Sequence, residues 1–247
     1  YPEGSLILRW RGRRWRAVPN GCGVTLNGVN VVSATDVWAV GSNTTCHFDG
    51  NAWSVIPSPQ PRPQYNEIDY RLLDVSSAGP DDVWVSGLRV IESGEHLDYA
   101  SILEHWDGTA WTLTTVVPGQ SLHGIEALAS NDVWAVGTDG TRGLVVHFDG
   151  TGWTLVPSPT PGDSGSLADV EAESTEHLWA VGTAQGKSLV LEAPSRFEGT
   201  VTGQTGVAYA TVSWFGPESG SVQTDPGGAF AAPGLAAGNY LFIATNP

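Results

Sequence analysis

Asp132-Val133-Trp134-Ala135-Val136-Gly137, followed by Leu144-Val145-Val146-His147-Phe148-Asp149-Gly150 and then Trp153, is the stretch that decides the fold. Leu144, Val146 and Phe148 alternate with Val145, His147 and Asp149, the period of two that belongs to a β-strand. Asp149-Gly150 supplies the positive φ of a tight hairpin turn, which sends the chain into another strand at Trp153. Pro157 and Pro159 stop that strand, as an outer edge with a free N–H side allows. Upstream, Leu122 and Ile125, three apart, mark a first strand. The unit therefore reads as four short strands.

The unit recurs. Asp36-Val37-Trp38-Ala39-Val40-Gly41, Asp82-Val83-Trp84-Val85-Ser86-Gly87 and His177-Leu178-Trp179-Ala180-Val181-Gly182 repeat its second strand, with Trp spacings of 46, 50 and 45. His47-Phe48-Asp49-Gly50 with Trp53 and His105-Trp106-Asp107-Gly108 with Trp111 repeat its hairpin, and Arg9-Trp10-Arg11-Gly12 with Trp15 is a further version. Four-stranded repeats of this length are the signature of β-propeller blades. The expected fold is all-β, a propeller of about four four-stranded blades over residues 1–194 with a small β-sandwich over 195–247. The chain starts within a unit, so the N-terminal hairpin 5–18 is expected to complete the last blade, the alternative being that it adds to a neighbouring copy or to further blades. Leu189–Leu191 competes with it for the third-strand place.

The repeat, with its Asp-Val-Trp-Ala-Val-Gly and His-Phe-Asp-Gly-x-x-Trp elements, resembles the kelch-like propeller repeats of secreted bacterial proteins over residues 5–192. That resemblance implies a fold and is nearly silent on activity. Sialidase Asp-boxes are excluded, because Gly50 directly follows Asp49 where that motif separates the two. Residues 198–247 change character. Gly199-Thr200-Val201, Ala210-Thr211-Val212, Thr224-Asp225, Gly228, Phe230, Leu235, Gly238 and Tyr240 are similar to the carboxypeptidase-regulatory-like family. The resemblance implies an accessory sandwich of prealbumin type, Ig-like in architecture, with no catalytic residues to carry over.

Eleven basic against twenty-six acidic residues give a net charge of −15 in 247 residues, which argues against duplex nucleic acid as a partner. No apolar run approaches the ~18 residues of a membrane span. Eleven Trp demand burial, so the chain folds despite 31 Gly and 16 Pro. Met is absent even at position 1, which suits a mature, cleaved or truncated product. Lys occurs once, at Lys187, and polarity comes from Ser, Thr, Asn and Asp, as in extracellular β-proteins. Cys22 and Cys46, 24 positions apart, are expected to form a disulfide within one blade, the alternative being two buried thiols. The expected location is secreted, extracellular or cell surface.

Candidate sites are few. Arg9, Arg11, Arg13, Arg14 and Arg16 surround Trp10 and Trp15, which repeat logic buries, leaving the Arg side chains exposed as a solvated edge or to dock an acidic surface or an anionic polymer. The insertion Leu88–Ala100 reads as a loop whose Glu92, Glu95, His96 and Asp98 suit a divalent cation, or merely solvent. His47, His105 and His147 recur on different blades and cannot converge; they and Asp36, Asp82 and Asp132 read as turn-supporting groups. No nucleophile elbow, phosphate loop or metal-protease motif occurs, and no cofactor is expected. Glu67, Asp69, Asp74, Glu126 and Asp169 keep an axial carboxylate pair conceivable.

Three functions compete: a non-catalytic binding or scaffold module contacting an extracellular glycan or protein through blade loops; a subunit that associates with other copies of itself; and a carbohydrate-active hydrolase or lyase.

Overall fold

Gly137 ends the repeat run for a steric reason: a Cβ there would lie 1.9 Å from the Ser121 carbonyl oxygen of the adjoining strand. Gly41, Gly87 and Gly182 meet the same obstruction, at 1.9, 2.1 and 2.1 Å from the carbonyl oxygens of Thr25, Arg71 and Ser166. The computed structural model describes residues 6–19, 21–58, 67–93, 96–114, 120–156, 164–174, 177–193, 196–200, 210–215, 220–233 and 241–245, and all their regular structure is β.

A hairpin of β1 (Ile7–Trp10) and β2 (Trp15–Val18) comes first. Blade 1 follows as β3 (Leu26–Ser33), β4 (Asp36–Gly41), β5 (Thr44–Phe48) and β6 (Trp53–Ile56), hydrogen-bonded in that order. Blade 2 is β7 (Glu67–Gly79), β8 (Asp82–Ser93), β9 (His96–Trp106) and β10 (Trp111–Thr114). Blade 3 is β11 (Ser121–Ala129), β12 (Asp132–Thr138), β13 (Gly143–Phe148) and β14 (Trp153–Val156). A fourth sheet has three strands, β15 (Gly165–Ser174), β16 (His177–Ala184) and β17 (Lys187–Ala193). The protein is all-β and of β-propeller type. Two small antiparallel sheets end the chain. One pairs β18 (Arg196–Thr200) with β21 (Ala229–Pro233); the other sets β19 (Thr211–Phe215) between β20 (Gly220–Gln223) and β22 (Leu241–Thr245). Two compact units divide the chain, one of Tyr1–Val156, Thr160–Glu171 and Ala180–Val190, the other of Pro157–Pro159, Ala172–Trp179 and Leu191–Pro247.

The three-residue spacing in each first strand has a backbone cause. Register shifts between Leu72 and Asp74 and between Leu122 and Gly124 insert a bulge residue, so Leu72 with Val75 and Leu122 with Ile125 reach one face. All four are buried. Asp49, Asp107 and Asp149 fold the outer hairpins by accepting the N–H groups two and three residues on, as in Asn51 and Ala52 at 2.8 and 2.9 Å from Asp49 Oδ1. The glycines that follow take φ of 95°, 88° and 90°. Both faces of a middle blade pack on neighbours, which is why Leu144, Val145 and Val146 are consecutively buried.

The expected closure by the N-terminal hairpin is not made through main-chain pairing. β1–β2 is a sheet of its own, and β17 occupies the third place beside β16. The hairpin finds its contacts on blade 1 instead: Ile7 packs on the cluster of Cys22, Ala39 and Cys46. Cys22 and Cys46 form the expected disulfide, with Cα atoms 6.0 Å apart.

Candidate functional site

The hairpin register pairs Ile7 with Val18, Leu8 with Ala17, Arg9 with Arg16 and Trp10 with Trp15. Side chains alternate along a strand, so Ile7 and Arg9 share one face and Leu8 and Trp10 the other. Arg9 is turned to blade 1, where its Nη2 donates to the Ala34 carbonyl at 3.3 Å and its guanidinium carbon stands 5.7 Å from the centre of the Phe48 ring. It is thus a strut of the hairpin, unlike the exposed Arg11, Arg13, Arg14 and Arg16.

Hairpin and blade do not close over each other. Two adjoining clefts separate them, of about 250 Å³ beside Leu26, Val29, Ala39 and Trp53 and about 240 Å³ beside Val18, Val31, Val37 and Phe48. Val29 and Val31 are 65% and 66% exposed. Val75 and Ile125, which stand where Val29 does in blades 2 and 3, are buried in the inter-blade cores. The groove therefore lies where a preceding blade would set its inner strands.

Trp10 and Trp15 correct the sequence expectation, being 51% and 63% exposed. In blades 2 and 3 a tryptophan arriving from the blade before covers the outer-hairpin aromatic pair. Trp38 supplies this for Trp106 and Trp111, at centroid distances of 5.6 and 5.4 Å, and Trp84 for Phe148 and Trp153, at 5.1 and 5.8 Å. Nothing among the described residues does so for Trp10 and Trp15.

Leu88–Ser93 and His96–Ala100 of the expected loop are strand. β8 and β9 run on as a regular ladder, pairing Ile91 with Asp98, Glu92 with Leu97 and Ser93 with His96. Alternation puts His96 and Asp98 on one face and Glu92 on the other, so these three do not gather about one point. Glu95 lies outside the described residues. No cluster of three His, Cys, Asp or Glu suited to a metal occurs among the described residues.

The first-strand carboxylates serve main-chain and side-chain donors. Asp74 accepts from its neighbour Val75 N–H at 2.8 Å and from Ile125 N–H at 2.9 Å, and burial, with Asp169 and Glu171 nearby, raises its pKa. Glu126 accepts from Ser76 Oγ at 2.9 Å; burial first, then Glu171, Asp74 and Asp169, raises its pKa. Asp169 accepts from Val170 N–H at 2.9 Å. Asp69 pairs with Arg71 on the same strand, and the Glu67 side chain lies outside the described residues. The recurrent His side chains likewise hold structure: His47, His105 and His147 Nε2 lie 2.8, 2.8 and 2.9 Å from Asp36, Asp82 and Asp132. Each imidazole stacks on the tryptophan opposite it, Trp38, Trp84 or Trp134.

Neither protein-family models nor curated proteins give a match to this sequence. Among solved structures it is similar to YCF48 bound to D1 peptide, at 17% identity and a TM-score of 0.44 over 75% of this chain and 59% of that one. It is also similar to YCF48 from Cyanidioschyzon merolae, at 15% identity and a TM-score of 0.44 over 85% of this chain and 69% of that one.

One buried carboxyl escaped the sequence. Glu104 opposes Val85 where Cys46 and Val146 oppose Ala39 and Ala135, a core position of the repeat. It is fully buried, with Oε1 accepting from Ser58 and Tyr70 hydroxyls at 2.7 Å each, while Oε2 has no partner among the described residues. Burial raises its pKa. Aligning His105 with His47 and His147 would have located it.

Proposed function

We propose that this chain is a non-catalytic binding module of a secreted or cell-surface protein, and that it holds an extended apolar segment of a partner protein in the groove between β1–β2 and blade 1. The observation that carries this reading is the exposure of Val29, whose counterparts Val75 and Ile125 are buried, with Val31 exposed beside it. Two clefts of about 250 and 240 Å³ in a row suit successive side chains of a strand. A small-metabolite site is more often one pocket of about 300–1,000 Å³ with convergent polar groups. The lining of Val, Leu, Ile and Phe favours protein over glycan. Secretion is supported by the disulfide, a bond that persists in oxidising compartments. In the same reading residues 1–194 form the kelch-like propeller module, and 195–247 a carboxypeptidase-regulatory-like sandwich that acts as accessory or spacer.

Panning a library of displayed random peptides on the full chain, with a glycan array in parallel, tests this. Apolar, aromatic-containing peptides should be enriched, and their binding should fail on a Val31→Lys variant. Enrichment of glycans alone, or of peptides indifferent to Val31→Lys, would overturn it.

A further inference from the structure

The hairpin presents a second surface on the side away from the groove. Trp10 and Trp15 stand exposed there, with their ring centroids 5.5 Å apart. The corresponding pairs Trp106–Trp111 and Phe148–Trp153 are spaced 5.6 and 5.4 Å, and each of those receives the second-strand tryptophan of the preceding blade. Trp10 and Trp15 thus form a socket of the same kind that no tryptophan among the described residues fills.

The knob exists elsewhere in the chain. Trp179 holds in β16 the place of Trp38 and Trp84, yet it is 46% exposed, and Val181, two residues on and so on the same face, is exposed with it. Repetition has made the two surfaces complementary, since the same aromatic geometry is already realised twice within the chain.

Charge points the same way. The turn beside the socket carries the exposed Arg11, Arg13 and Arg14, whereas the exposed Asp169, Glu171, Glu173 and Glu192 lie on the strands flanking β16. Trp179 lies on the central strand of its sheet, between β15 and β17, so the contact made through it is face to face.

We infer that copies of this protein associate head to tail, the Trp179 face of one copy seating on the Trp10–Trp15 socket of a second. Such a heterologous contact uses different patches on the two partners and builds a ring or a filament. The groove on the other side of the hairpin is left free for the partner proposed above.

Sedimentation velocity of the full chain over a roughly hundredfold concentration range tests this. The wild type should form concentration-dependent oligomers, and Trp179→Ser and Trp15→Ser should each remain monomeric. Their equimolar mixture should restore a capped dimer, because one supplies an intact socket and the other an intact knob. Val31→Lys, which blocks only the groove, should self-associate like the wild type. Should either Trp variant fail to fold, Val181→Asp and Ala17→Asp take their places at the same two faces. A wild type that stays monomeric throughout, or variants that stay monomeric when mixed, would overturn the inference, including the case in which Trp179 is covered within its own chain.

Discussion

Asp74 and Ile125 tie two blades together: the Asp74 Oδ2 accepts the Ile125 main-chain N–H at 2.9 Å, across from β7 to β11. Its other oxygen holds Val75 N–H at 2.8 Å. A carboxylate that sequence leaves available for chemistry is therefore committed to the join. Asp74→Ala should leave the Ile125 N–H without an acceptor and cost about 1–3 kcal/mol in denaturant unfolding. Asp74→Asn, which keeps one acceptor oxygen, should cost less. Equal stability of Asp74→Ala and wild type would show that the bond carries no weight.

Gly137→Ala should be far more damaging than its size suggests, since the new Cβ would meet the Ser121 carbonyl oxygen at 1.9 Å. Backbone on both sides must shift, and a loss of about 3 kcal/mol or outright failure to fold is expected. Thermal melting followed by circular dichroism reads the outcome directly.

Repeat logic made the blades legible because Trp38, Trp84 and Trp134 recur with their His partners at nearly constant spacing. It failed at Trp10 and Trp15 for a physical reason. Strand alternation states which way a ring points, whereas its burial depends on what the adjacent sheet brings. The charges of Leu88–Ala100 read as solvent-exposed loop, yet β8 and β9 continue there as a ladder, joined by β7 as far as Ile91, with Glu92 and Asp98 at exposed positions. The groove was illegible for a related reason, as it is defined by a blade face left uncovered and not by any residue type.

Acid should destabilise the protein through its turns. Asp107 and Asp149 are held to a pKa of about 2, first by the Thr109 and Thr151 hydroxyls and then by main-chain N–H groups. A lowered folded pKa gives stability that is present above the ordinary value and is lost as pH falls from about 4 toward 2. The doubly substituted Asp107→Ala, Asp149→Ala protein should be less stable at neutral pH and show a shallower decline across that window. A decline as steep as that of the wild type would contradict this.

Glu104 acts with the opposite sign. Burial raises its pKa, so ionisation costs stability as pH rises through the raised value, and the cost disappears below the ordinary one. Glu104→Gln retains an acceptor for Ser58 and Tyr70 without the charge. It should melt higher than wild type at alkaline pH and alike at acid pH; a lower melting point at both would place the benefit of the carboxyl elsewhere.

Reducing Cys22–Cys46 frees a loop of 24 residues in sequence separation. Loss of the cross-link should cost about 3 kcal/mol on the loop-entropy model. The Cys22→Ser, Cys46→Ser protein should unfold at correspondingly lower denaturant, whereas unchanged stability would mean that the packing of Ile7 and Trp53 around the site suffices.

Occupation of the groove is the central claim, and calorimetric titration of a panned peptide into the wild type and into Val31→Lys tests it most directly. A loss of affinity of about tenfold or more in Val31→Lys, with Trp179→Ser unaffected, is the expected result. Equal affinity in wild type and Val31→Lys would contradict it and move the binding surface off blade 1.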